Sequence, residues 1–171
     1  MSKPPNLLVH CPRCGEDTLD SVDGKLYGCS HCGYTYFHNT AVSVAAVIRR
    51  GDTVAWITRA REPGAGLLDL PGGFVEGDES LESAVLREVR EETGFEAANP
   101  RYLFSIPNRY TYHGVNYTTV DVFFLCDLTA EAEFAPNSEA SALAWMVLEA
   151  IDPRRIAFDS TRSALVRLLG S

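Results

Sequence analysis

The segment Ser80–Thr93 reads as a helix that carries negative charge on the side it must bury. Placing successive residues about 100° apart puts Leu81, Val85 and Val89 on one face, the face expected to turn toward a core. Glu88 and Glu92 fall on that same face, and Glu91 lies on its flank. Glu88 also stands one helical turn from both Glu91 and Glu92, a like-charge spacing that weakens an isolated helix. Inward carboxylates lose hydration and repel one another, so a chain that folds this way needs a compensating cation. A hard divalent ion such as Mg²⁺ (or Mn²⁺) suits carboxylate oxygen. The bland alternative is a helix with incidental glutamates at its end. A solvated helix, however, would show them opposite the aliphatic stripe.

Upstream, residues 61–77 contain Pro63, Gly64, Gly66, Pro71, Gly72, Gly73 and Gly77. That density of glycine and proline predicts a long irregular loop, and long loops are usually functional. A metal held by carboxylates beside such a loop suits phosphate chemistry. The backbone can approach closely, while the ion neutralises a diphosphate and orients water for in-line attack.

The rest of the chain divides into residues 1–40, which hold four of the five cysteines, and residues 41–171, which show strand and helix patterns. Ala41–Ile48 and Val54–Thr58 read as a hairpin around Arg50-Gly51-Asp52. Arg101–Ser105, Thr118–Leu125 and Ser141–Leu148 are further predicted strands. Asp159 or Ser160 is expected to cap a last helix whose core stripe is Ala164, Leu165, Leu168 and Leu169. The order predicts an α/β fold, a mixed sheet packed between helices.

Cys11-Pro12-Arg13-Cys14 and Cys29-Ser30-His31-Cys32 are two C-x2-C knuckles, with Asp23-Gly24 between them as a hairpin turn. Paired knuckles on a hairpin predict a zinc ribbon. Four thiolates leave no open position for water, so Zn²⁺ there is expected to be structural. Cys126, alone in an apolar strand, reads as a small buried hydrophobe. The net charge of −8 argues against a broad basic surface for nucleic acid, and residues 1–40 carry no basic stripe. No secretory pattern opens the chain and no apolar run approaches a membrane span. A cytoplasmic protein with no membrane partner is therefore expected, its thiols better suited to metal than to disulfides.

The segment Gly73–Phe95 resembles the signature of the Nudix hydrolases, G-x5-E-x7-R-E-U-x-E-E-x-G-U, with U a bulky apolar residue. Gly73, Glu79, Arg87, Glu88, Val89, Glu91, Glu92, Gly94 and Phe95 fill every specified position. The resemblance implies an α/β/α sandwich and hydrolysis of a nucleoside diphosphate linked to another moiety. It implies Glu88, Glu91 and Glu92 as metal ligands, often joined by the Gly72 carbonyl, and a Glu79–Arg87 pair bracing loop against helix. A four-cysteine ribbon followed directly by such a domain is similar to NADH pyrophosphatases. In those enzymes a glutamate six residues before a tryptophan adds to the metal site, a relation that Glu139 and Trp145 share. Glu139 is thus a candidate ligand or general base, or else an exposed loop residue.

Phe74 is a candidate to stack on a base, or a loop anchor. Residues 105–110, Ser-Ile-Pro-Asn-Arg-Tyr, keep only the serine and proline of the motif S-Q-P-W-P-F-P-x-S. Arg109 and Tyr110, with Tyr112 and Tyr117, are therefore candidates for a different nucleotide pocket, or packing residues on a strand. ADP-ribose and NAD-like dinucleotides rank first as small-molecule substrates and nucleoside triphosphates second. A homodimer is implied by resemblance only. The alternative from another class is a binding module, its ribbon recognising RNA or protein and its Nudix part acting as a sensor.

Overall fold

The computed structural model describes residues 8–21, 23–112 and 115–170, without the side chains of Tyr110, Thr111 and Val115. It divides into two compact units, Met1–Thr40 and Ala41–Ser171.

In the first unit, β1 (Leu19–Ser21), β2 (Leu26–Cys29) and β3 (Thr35–Phe37) form an antiparallel sheet in that order. Asp23 Oδ1 accepts the N–H groups of Lys25 and Leu26, 2.8 Å each, and Gly24 takes φ +80°, which fixes the β1–β2 turn. Leu19 and Tyr27 are buried with Cys11 and Cys29, so the thiols are part of this small core.

In the second unit, β4 (Ala41–Arg50), β5 (Thr53–Arg59), β6 (Leu68–Asp69) and β7 (Gly72–Phe74) precede helix α1 (Leu81–Thr93). Then come β8 (Glu96–Tyr112), β9 (Val115–Ala130), β10 (Ala140–Val147) and helix α2 (Asp159–Leu169). The sheet runs β10-β5-β4-β9-β8, with β6 on β5 and β7 on β4. Among the described strands of this sheet β4 and β9 pair in parallel and the other pairs are antiparallel, so the sheet is mixed, as expected.

The alternation of β4 separates the two faces. Val44, Ala46 and Ile48 pack with Val85 and Val89 of α1, whereas Val47 packs with Leu165 and Leu168 of α2. Helices thus cover both faces of one sheet, the predicted α/β/α arrangement.

The predicted hairpin is shorter than its strands suggest. β4 and β5 pair only at Arg49–Val54 and Arg50–Thr53. Farther along, β7 pairs with Ser43–Ala45 of β4 and β6 pairs with β5. The glycine-rich stretch expected to be wholly irregular therefore supplies two short strands to the sheet. Gly72 is required there, because a Cβ would stand 2.1 Å from the Val44 carbonyl oxygen.

Helix α1 begins where expected. The Ser80 hydroxyl accepts from the Ser83 N–H, and Gly94 ends the helix at φ +73°. Helix α2 departs from expectation at both ends. Its cap position is Phe158, without a side-chain bond; Asp159 pairs with Arg162, and Ser160 is buried, donating to Asp121. Leu169 is 45 % exposed while Leu165 is 2 % exposed, so the stripe ends at Leu168. Leu165→Ala is therefore expected to cost about 2–4 kcal/mol in denaturant unfolding, and Leu169→Ala less than about 0.5 kcal/mol. Equal costs would show that α2 packs differently.

Candidate active site

The inward charge on α1 is present in the fold. Glu88 is 6 % exposed and Glu92 3 %, beside Val85 and Val89. Loss of hydration raises both carboxyls, Glu92 to about 8, although the Gly72 N–H donates to Glu92 at 2.8 Å and opposes the rise there. Glu91 is different: its side chain is 59 % exposed.

Arg87 organises this helix. Its guanidinium donates to Glu79 Oε1 at 2.6 Å and Oε2 at 3.1 Å, to Glu88 Oε1 at 2.8 Å, to Glu91 Oε2 at 3.0 Å and to the Phe74 carbonyl at 3.0 Å. Glu79 in turn accepts the Glu76 N–H, so loop and helix are tied through one cation. Hydrogen bonding to Arg87 holds the Glu79 carboxyl below its ordinary value. Gly73 completes the approach, since a Cβ there would lie 2.4 Å from Glu88 Oε1.

Glu139 joins this group from the position just before β10. Carboxylate oxygens of Glu88, Glu92 and Glu139 all lie within 4.8 Å of one another. Glu91 is outside that set. Asn137 fixes the approach: its Nδ2 donates to the Glu91 and Glu92 carbonyls, 3.2 Å each, while its Oδ1 accepts from the Glu139 and Ala140 N–H groups, 2.9 Å each. Arg61 pairs with Glu139 at 2.5 Å. Three carboxylates this close, two of them buried, are a donor set for a hard divalent cation.

A cavity of about 470 Å³ is lined by Glu88, Glu92, Glu139, Gly72, Gly73 and Phe74. Arg59, Arg61, Asn108 and Tyr112 line it too. Phe74 is half exposed there. Arg109 is exposed and does not line the cavity, because strand alternation turns its neighbour Asn108 inward. Tyr110 of β8 lies opposite Tyr117 of β9, and its side chain is outside the described residues.

Sequence reasoning missed two buried aspartates in the cavity wall. Asp69 bonds Thr161 Oγ1 at 2.9 Å, the Leu70 N–H at 3.0 Å and Arg59 at 3.3 Å, and burial pushes it up to about 6. Asp121 accepts from Ser43, Thr119 and Ser160. Each is a lone acid within an apolar strand (Leu68-Asp69-Leu70; Val120-Asp121-Val122), the signal that could have found them.

In the first unit the four sulfurs of Cys11, Cys14, Cys29 and Cys32 lie within 4.8 Å of one another, with 3.7 Å for Cys11–Cys32 and for Cys14–Cys29. Tetrahedral bonds of about 2.3 Å require sulfurs about 3.8 Å apart, so the cluster fits zinc. The knuckles close through Gly15 N–H to Cys11 and Gly33 N–H to Cys29, both glycines at positive φ. The Thr18 hydroxyl bond lowers Cys29 to about 6, favouring a thiolate. His31 is exposed, and Cys126 is buried as expected.

Residues 39–168 match the family model described as NUDIX domain. The chain belongs to the Nudix family. Over 99 residues, 57 % of this chain, it is 37 % identical to the NAD-capped RNA hydrolase NudC of Haemophilus influenzae (strain PittGG) and covers 38 % of that protein. NudC of Escherichia coli O1:K1 / APEC is also 37 % identical, over 98 residues, again with 57 % of this chain and 38 % of that protein covered. The match thus spans well under half the length of these curated relatives. A Nudix hydrolase from Nitrosomonas europaea shares the fold, with TM-score 0.78 at 23 % identity over 95 % of this chain and 91 % of that one. The Nudix domain of Shewanella oneidensis NrtR, solved with ADP ribose, has TM-score 0.61 at 25 % identity over 79 % of this chain and 91 % of that one.

The raised Asp69 carboxyl gives this Nudix domain a pH-dependent term. A folded value of about 6 against an ordinary 3.8 means the folded state binds the proton more tightly. The contribution of Asp69 to stability is then greatest below pH 4 and is lost as pH rises through 6. Asp69→Asn removes that loss, so variant minus wild-type stability should rise by up to about 3 kcal/mol between pH 4 and 8. Urea melts at several pH values read it, and a flat difference would refute the assignment.

Proposed function

We propose that the chain is a Mg²⁺- or Mn²⁺-dependent pyrophosphohydrolase that cuts the diphosphate linkage of a nucleoside diphosphate derivative, ADP-ribose or an NAD(H)-like dinucleotide. The carrying observation is the Glu88–Glu92–Glu139 cluster in the cavity wall, in which Arg87 pairs with Glu88 and Arg61 with Glu139 while Glu92 has no cation partner among the described residues. Glu88 and Glu92 would hold the ion, with the Gly72 carbonyl as a further donor. Glu91, held by Arg87 in this structure, enters the ligand set by family resemblance. A bound ion would supply charge neutralisation for the diphosphate and lower the pKa of the attacking water.

The residues do the rest. Glu139 accepts the proton of water as its oxygen bonds to one phosphorus. The P–O bond of the anhydride breaks, and two phosphorylated products leave. Arg61, released from Glu139, can pair with a phosphate oxygen. Arg87 and Glu79 keep the glycine loop against the helix, and Phe74 offers an aromatic face. The ribbon's four cysteines are proposed to hold Zn²⁺ for structure, in a reducing cytoplasm. NAD-capped RNA, named for the relatives above, and ADP ribose, bound in a neighbour, both contain a diphosphate-linked nucleoside, which favours this class over triphosphates.

Turnover of ADP-ribose, NADH, a dinucleoside polyphosphate and deoxynucleoside triphosphates with Mg²⁺ tests the reading, ADP-ribose or NADH being expected first. Asn137→Ala should weaken Mn²⁺ binding by about 10–100-fold, as for loss of a partner that orients a ligand, and Glu92→Gln should do at least as much. Full activity in Glu92→Gln would sink the proposal.

A further inference from the structure

A second group of residues lines the same cavity and takes no part in the reaction above: Ser43, Asn108, Thr119, Asp121, Asp69 and Thr161. Their hydrogens are directed in one pattern. A hydroxyl has a single hydrogen, and a carboxylate only accepts. Ser43 and Thr119 both donate to Asp121 Oδ1, at 2.5 Å and 2.6 Å, and Ser160 donates to Oδ2 at 2.5 Å. Thr161 donates to Asp69 Oδ1 at 2.9 Å. The Ser43, Thr119 and Thr161 hydroxyls have therefore turned their hydrogens to an aspartate and can offer a ligand only lone pairs.

Asn108 breaks the pattern. It stands opposite Thr119 across the β8–β9 pair and is 6 % exposed. Its Oδ1 accepts the Arg109 N–H at 2.9 Å, while its amide nitrogen donates to none of the described residues. That nitrogen belongs to a residue of the cavity wall, so its hydrogens are available to whatever fills the cavity. The wall thus sets one donor beside an acceptor, among the aromatic side chains of Phe74, Tyr112 and Phe158.

Resting on the function proposed above, we propose that this wall selects a planar group bearing an amine next to an acceptor: the amino edge of adenine or the carboxamide of nicotinamide. The amine meets the Thr119 and Ser43 oxygens, and the adjacent ring nitrogen or carbonyl takes the Asn108 amide hydrogen. An oxo group at the amine position sets oxygen against those lone pairs. Hypoxanthine reverses the order of donor and acceptor, and nicotinic acid adds a charge facing Asp121.

Equilibrium binding of mononucleotides without divalent metal tests this apart from catalysis. AMP is compared with IMP, and nicotinamide mononucleotide with its carboxylic acid analogue. The amino member of at least one pair should bind about tenfold more tightly or better, the loss expected for an unmatched buried hydrogen bond. Which pair discriminates identifies adenine or carboxamide as the group read. Asn108→Asp, which replaces the donor by an acceptor, should reduce that ratio about tenfold, and Thr119→Val should lower it as well, with melting curves confirming folding. Equal binding within both pairs, or no binding of any of the four, overturns the proposal even if ADP-ribose is hydrolysed. Absent hydrolysis with a retained amine preference removes instead the activity proposed above.

Discussion

Arg87 is the interaction on which the site is built. One guanidinium answers three carboxylates and a loop carbonyl, from Glu79, Glu88, Glu91 and Phe74. Its planar fork does this where a lysine point charge could not. It does not neutralise the site. Arg87 and Arg61 face Glu79, Glu88, Glu91, Glu92 and Glu139 through the ion pairs and the carboxylate cluster described. Two cations against five acids leave an excess centred on the buried Glu88 and Glu92. Removing Arg87 would leave Glu88 buried with less compensation still, the situation in which a broken buried pair is most damaging.

That excess is positioned by β4. Its Val44, Ala46 and Ile48 pack on the helix that carries the glutamates, while Ser43 reaches Asp121 on the other side. The same Ser43 stands in register with Phe74 of β7 and Asp121 of β9. The separation of β4 from β5 beyond the turn is what admits β7, and with it Gly72 and Gly73, to the carboxylates. Sheet geometry and site chemistry are thus one constraint.

Local periodicity made the acidic helix legible in the sequence. The helical wheel distinguishes Glu88 and Glu92 from the exposed Glu91, and Ser80 and Gly94 mark its ends. The knuckles were legible for the same reason, since two close cysteines and a glycine close each turn locally. What was not legible depends on pairing between distant strands. Nothing near Asn108 says that it, and not Arg109, turns inward; that follows from alternation along β8 and its register with Thr119 on β9. Ser160 and Thr161 resemble ordinary helix-start residues until Asp121 and Asp69 come to meet them.

Glu139 lies between these cases. Its spacing to Trp145 suggested a role, but a sequence cannot place a residue at the end of an irregular stretch. Helix α1 does so physically. The last carbonyls of any helix lack intrahelical partners, and two of those in α1, from Glu91 and Glu92, accept the Asn137 amide. The other end of that amide orders the backbone of Glu139 and Ala140. Beyond it, Trp145 stacks on Phe95 at 5.8 Å and holds β10 over the residue that follows the helix cap. The helix that carries two of the clustered carboxylates therefore also recruits the third, through backbone groups that every helix end leaves open.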